Sequence, residues 1–223
     1  MEKLKDLLND NNFENYYKKV IDKIVDIQMT TSSEGLAIYD NDSLISEMNL
    51  MIKYYFEGIL RKSLTKNQKE IINKTLNNIA TIILSQPQNI FIHGNMKIDE
   101  INVLNNNIKI GESINAMNGS ITYDLFSFLK DDDFNLLDDE VYSLALYFRD
   151  KKGLSIGDEQ FIKWFDFMGL QRYINLLGYF SKSFICDGKK EYLREIPSTL
   201  EYVFDISNKY EETKPFTQLL KEL

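Results

Sequence analysis

His93, Asn95, Asp99, Glu100 and Glu112 crowd one stretch of the chain, Asn89 to Asp124, and bring together an imidazole, an amide and several carboxylates. Such a set suits phosphoryl transfer, which needs a group that takes a proton from the attacking hydroxyl and oxygen ligands for a divalent cation. Short apolar runs must hold these residues in place. Ile90-Phe91-Ile92 leads into His93-Gly94-Asn95, and Val103-Leu104 and Ile108-Lys109-Ile110 flank Asn105-Asn106-Asn107. The order reads as strand, loop, strand, turn. A polar loop pinned between two short strands is how phosphotransferases present a catalytic base and metal ligands.

The elements around this loop read as helices. Apolar residues recur at helical spacing over Phe13 to Gln28 (Tyr17, Val20, Ile21, Ile24, Val25), and again after Asn41-Asp42-Ser43, which offer N-caps, to about Gly58. Thr65 caps a third helix that carries Ile71, Ile72, Leu76, Ile79 and Ile83 to Leu84, before Gln86-Pro87 stops it. Beyond the loop, Thr122 to Lys130 opens another helix, and Asp138 caps one closed by Gly153. Between them, Asp131-Asp132-Asp133 reads either as a cation site or as a solvated turn facing the next helix N-terminus. From Gly157 the aromatic-rich run through Phe161, Trp164, Phe165, Phe167, Tyr173 and Phe180 predicts a core helix pair. Pro197 starts a last long helix to about Tyr210, and Pro215 precedes a short final one.

A chain of 223 residues with 43% hydrophobic and 27% charged residues predicts a single soluble domain over 1–223. It contains no apolar run long enough for a membrane span, and the first residues are too acidic for a secretory signal, so the expected location is the cytoplasm. The single Cys186 excludes an internal disulfide. A net charge of -8 argues against a nucleic-acid partner, because binding to phosphate backbones rests on clustered Lys and Arg.

His93-Gly94-Asn95-Met96-Lys97-Ile98-Asp99-Glu100 resembles the catalytic loop of the aminoglycoside phosphotransferase and choline kinase superfamily. Asn115 to Leu125 resembles the segment after that family's metal-binding Asp. Within the superfamily, Phe165 to Arg172, Asp187-Gly188-Lys189 and Tyr192 to Pro197 resemble the anomeric N-acetyl-sugar kinases of cell-wall recycling, bacterial enzymes acting on N-acetylmuramate and N-acetylglucosamine. The resemblance covers roughly Phe13 to Leu223. It implies a mainly α fold, a protein-kinase-like C-lobe of about eight helices with a small β-hairpin at the catalytic loop. It also implies that His93 and Asp124 shape the loop, and that Asp166, Gln171 and Arg172 border an acceptor pocket able to hold an N-acetyl sugar.

The departures from that pattern are informative. Asn95 stands where the family has the Asp that accepts the hydroxyl proton, and a neutral amide cannot take that role. Glu100 stands at an Asn ligand position and Glu112 at the second metal-binding Asp, so oxygen donors remain with longer side chains. Lys97 lies among these acids. The chain is expected to begin near the hinge, without the N-terminal β-lobe, and neither a G-x-G nor a Gly-Lys-Ser/Thr cradle occurs elsewhere. The resemblance therefore implies a catalytically inactive phosphotransferase-like protein, a pseudokinase C-lobe serving as a binding or interaction module, with no cofactor expected. A protein partner or a second copy is expected on the face that a missing lobe would leave bare. The alternative is a sugar phosphotransferase using Mg-ATP with an N-lobe supplied by another chain.

Overall fold

The computed structural model describes residues 2–223. In chain order its elements are β1 (Glu2–Lys3), α1 (Leu4–Leu7), α2 (Phe13–Thr30), α3 (Asn41–Leu50), α4 (Lys66–Leu84), β2 (Ile90–Ile92), β3 (Ile101–Leu104), β4 (Asn107–Ile110), β5 (Met117–Gly119), α5 (Tyr123–Leu129), α6 (Asp138–Lys152), α7 (Asp158–Asp187), α8 (Ile196–Lys209) and α9 (Lys214–Glu222). Helix dominates, as the 3.6-residue periodicities predict. None of the described helices is long and apolar enough to cross a membrane.

Residue contacts divide the chain into two compact units. The first runs to Tyr39 and takes in Gln86–Phe165; the second is Asp40–Ser85 and Asp166–Leu223. The core of the first unit forms where the apolar stripe of α2 (Tyr17, Val20, Ile21, Ile24) packs with α5 and α6, burying Phe128, Leu125, Val141, Leu144 and Phe148. The Tyr17 ring packs 4.6 Å from that of Phe128, tilted by 34°. Two small sheets rest in this unit, where the sequence predicted one hairpin. One has the order β1-β3-β4 and the other pairs β2 with β5, with Phe91 opposite Asn118. Ala37 and Tyr39 extend the second sheet by exchanging backbone hydrogen bonds with Asn118. The predicted hairpin is present: Asn105 and Asn106 both adopt positive φ, as a two-residue turn between right-twisted strands demands.

In the second unit, α3 begins one residue earlier than its expected caps. Asp40 is the N-cap, accepting the Ser43 N–H at 3.0 Å, so Asn41, Asp42 and Ser43 are already helical. At Met51 the helix widens into a π-helix, Met51–Ile59. A Cβ at Gly178 of α7 would overlap the Met51 backbone nitrogen, so glycine permits this close approach. Thr65 caps α4 through a reciprocal capping box with Gln68. The expected aromatic helix pair is instead one helix, α7, of 30 residues. It contains no Pro, and its two internal glycines, Gly169 and Gly178, lie at buried positions where packing outweighs their low propensity. Asp138 is the first residue of α6 rather than its cap, and the Leu137 N–H is met by the Glu140 carboxylate at 2.7 Å.

Candidate functional site

The loop after β2 is built around a buried carboxylate. Asp124, at the start of α5 and 1% exposed, accepts the backbone N–H of His93 at 2.6 Å on one oxygen and that of Gly94 at 3.0 Å on the other. Two amides that the turn removes from any strand ladder are thereby satisfied. Gly94 has φ +79°, and a Cβ there would overlap the carbonyl oxygen of Asn115. Glycine is thus required twice over, for the left-handed backbone and for the approach of the opposite loop.

His93 is buried beneath this loop. Its Nε2 lies 3.0 Å from the Gly111 carbonyl, which can only accept, and its Nδ1 lies 3.4 Å from the Asn95 N–H. These partners assign the ring proton to Nε2. The Ser113 hydroxyl donates to the His93 carbonyl at 2.5 Å, so the loop carrying Glu112 is tied to His93 from both sides. The imidazole acts here as a brace between the two loops. Ser113 carries no helical or strand periodicity and was not read as part of the site.

Asn95 follows directly and is half-buried. The carboxylates stand at the open end of the β3–β4 hairpin. Because Ile101 faces Ile110, Glu100 and Gly111 adjoin, and a Cβ at Gly111 would lie 3.7 Å from Glu100 Oε2. Glu100 and Glu112 are both exposed, as is Lys97. Among the described residues no three His, Cys, Asp or Glu side chains converge as a protein-built metal cage requires. Glu100 and Glu112 suit, in kind, a Mg²⁺ that draws its remaining oxygens from phosphates and water.

The acidic turn has a structural task. Asp131 accepts the N–H of Asp133 at 2.9 Å and that of Ile98 at 3.4 Å, joining the end of α5 to the turn that holds Glu100. Burial pushes the Asp131 carboxyl above the usual carboxylate range, with the charges of Asp133 and Asp99 acting the same way. Asp132 and Asp133 are exposed. Gln86 also holds this region together, donating to the Trp164 carbonyl at 3.1 Å and accepting the Thr122 hydroxyl at 2.6 Å.

Asp166, Gln171 and Arg172 all belong to the second unit. Asp166, 1% exposed, accepts the Tyr210 hydroxyl at 2.8 Å and lies 3.5 Å from Lys209 Nζ. Gln171 is fully buried and donates to Glu47 at 2.9 Å, while Asn175 donates to the same oxygen at 3.1 Å. The Gln171 carbonyl oxygen is buried with no hydrogen-bond partner. Arg172 is half-buried. Glu47 was not singled out from sequence; its signal was a carboxylate one helical turn from Leu44 and beside Met48, on an otherwise apolar face.

No family model matches the chain. It is 28% identical over 210 residues to the N-acetylmuramate/N-acetylglucosamine kinase of Neisseria meningitidis serogroup B, a match covering 92% of this chain and 63% of that one. Proteins of the same name from Pseudomonas putida and Pseudomonas aeruginosa are 24% and 23% identical over 223 residues, covering 98% of this chain and 66% of theirs. The chain thus spans a little under two thirds of the length of these relatives. The similarities support a relation to sugar kinases.

Proposed function

We propose that this chain is a phosphotransferase-like binding module, a pseudokinase that retains the loop architecture of an N-acetyl-sugar kinase without its proton acceptor. The observation that carries the reading is Asn95. By the resemblance it stands at the base position of a loop whose turn is held by Asp124, through the His93 and Gly94 amides, and by His93 bracing Gly111. An amide has no lone pair basic enough to take a hydroxyl proton, whereas a carboxylate does. The amide-rich cluster of buried Gln171 with half-buried Glu47 and Asn175 supports retention of a polar ligand site in the second unit.

The names of the relatives favour a second reading, a sugar phosphotransferase. In that reading Glu100 and Glu112 hold the Mg²⁺ of Mg-ATP, which offsets phosphate charge. Calorimetric titration of the purified chain with N-acetylglucosamine and N-acetylmuramate tests the leading reading. Saturable heat with either sugar, unchanged by Mg-ATP, is expected. Absence of heat at millimolar sugar removes the sugar-binding part, and sugar binding that requires Mg-ATP favours the enzyme.

A further inference from the structure

β4 is the outer strand of its sheet. In an antiparallel hairpin with a two-residue turn, the residues flanking the turn exchange hydrogen bonds, and bonded and non-bonded pairs alternate from there. Leu104 faces Asn107 and Asn102 faces Lys109, so Asn107 and Lys109 direct their backbone groups to β3. The N–H and C=O of Ile108 and Ile110 therefore point away from the sheet. No turn, loop or cap hydrogen bond among the described residues satisfies them.

An open groove of about 640 Å³ lies along this edge, and α2 forms its other wall with Lys19, Lys23 and Ile27. The two carboxylates of the groove already have donors: Asp22 accepts the Tyr147 hydroxyl at 3.0 Å and faces Lys151 at 3.4 Å, and Asp26 lies 2.6 Å from Lys23. Lys19 donates to the Asn106 amide oxygen and lies 5.5 Å from the centre of the Tyr16 ring, and Lys109 is exposed on the strand itself. Neither has a carboxylate partner among the described residues. An edge strand without Pro or bulge, beside two ammonium groups that face no carboxylate, is a template for a further strand bearing acid.

We propose that the β4 edge is a docking site for an extended segment of another polypeptide, which adds as the next strand of the β1-β3-β4 sheet. Its backbone pairs with Ile108 and Ile110, its apolar side chains lie over those residues and Ile27, and its acidic side chains meet Lys19 and Lys109. This inference does not depend on the reading of Asn95.

The test is an NMR titration of the ¹⁵N-labelled full chain with a capped heptapeptide of alternating valine and glutamate, against its valine and lysine counterpart. Saturable shifts of the Ile108 and Ile110 amides are expected, on the order of tenfold weaker for the lysine peptide and weakened by salt. Ile108→Pro, which removes an outward N–H and spares the β3 pairing, should abolish the shifts. The double change Lys19→Glu and Lys109→Glu should reverse the peptide preference, and it serves even if the Pro variant fails to fold. Shifts absent at millimolar peptide, or equal for both peptides, overturn the proposal. So do shifts at β4 that grow with protein concentration alone, which would assign the edge to a second copy of this chain.

Discussion

Asp124 Oδ2 accepts the His93 backbone N–H at 2.6 Å, across 31 positions of sequence, while its other oxygen accepts the Gly94 N–H. One side chain thus sets the path of the loop that displays Asn95. Replacing Asp124 by Ala would leave one buried and one part-buried donor without a partner, a loss of roughly 2–4 kcal/mol. Asp124→Asn keeps one acceptor oxygen but turns an NH₂ toward the second donor, so it should also destabilise. Urea denaturation of the three proteins measures both effects, and a loss below about 0.5 kcal/mol for Ala would place the loop's support elsewhere.

Gly94→Ala should cost at least about 2 kcal/mol, through the left-handed backbone and the overlap with the Asn115 carbonyl. The neighbouring loop must move to relieve it. Amide shifts of Asn115 and Ser113 should therefore change together, and a silent Asn115 amide would show that the two loops are not in contact.

Thr65→Ala removes the acceptor of the Gln68 N–H, at 3.3 Å, and half of a reciprocal cap whose other bond, Thr65 N–H to Gln68 Oε1, is 2.8 Å. A loss of about 1 kcal/mol is expected in thermal or urea unfolding. Thr65→Ser should be nearly neutral because its hydroxyl can cap equally well.

Asp131 gives stability a definite pH dependence. Its folded-state carboxyl is pushed up by burial, so between the ordinary carboxylate value and the raised one the native state binds more protons than the unfolded chain. The contribution of Asp131 to stability must then fall as pH rises through that window and recover as pH falls back through it. Asp131→Asn keeps an acceptor for the Asp133 or Ile98 N–H and should flatten this slope. Denaturation midpoints of both proteins through the acidic range check it, and an unchanged slope would remove Asp131 as the cause.

Periodic stripes and punctuating residues made much of this architecture legible. Phe13 marked the start of α2, Gly153 ended α6 in a left-handed cap, and the Asn run marked the β3–β4 turn. Local pattern could not show which distant strands pair. Glu2–Lys3 joins β3, and Met117–Gly119 joins β2, yet strands of two or three residues carry too few alternations to reveal a face. The π-helix after Met51 was hidden for a similar reason, since the apolar positions of Met51–Ile59 read as a continuing α stripe. At the site, the residue types of Asn95, Glu100 and Glu112 were visible. The bracing bonds from Ser113 and Asp131 depend on long-range backbone geometry that no spacing encodes.

The central claim is that Asn95 leaves the loop without a proton acceptor. The most direct measurement is ³¹P NMR of the native chain and Asn95→Asp, each incubated with Mg-ATP and N-acetylglucosamine or N-acetylmuramate. The native chain is predicted to form no sugar phosphate above the protein-free control, and any phosphotransfer is predicted to appear only with Asn95→Asp. Anomeric sugar phosphate formed by the native chain above the protein-free control would contradict the account.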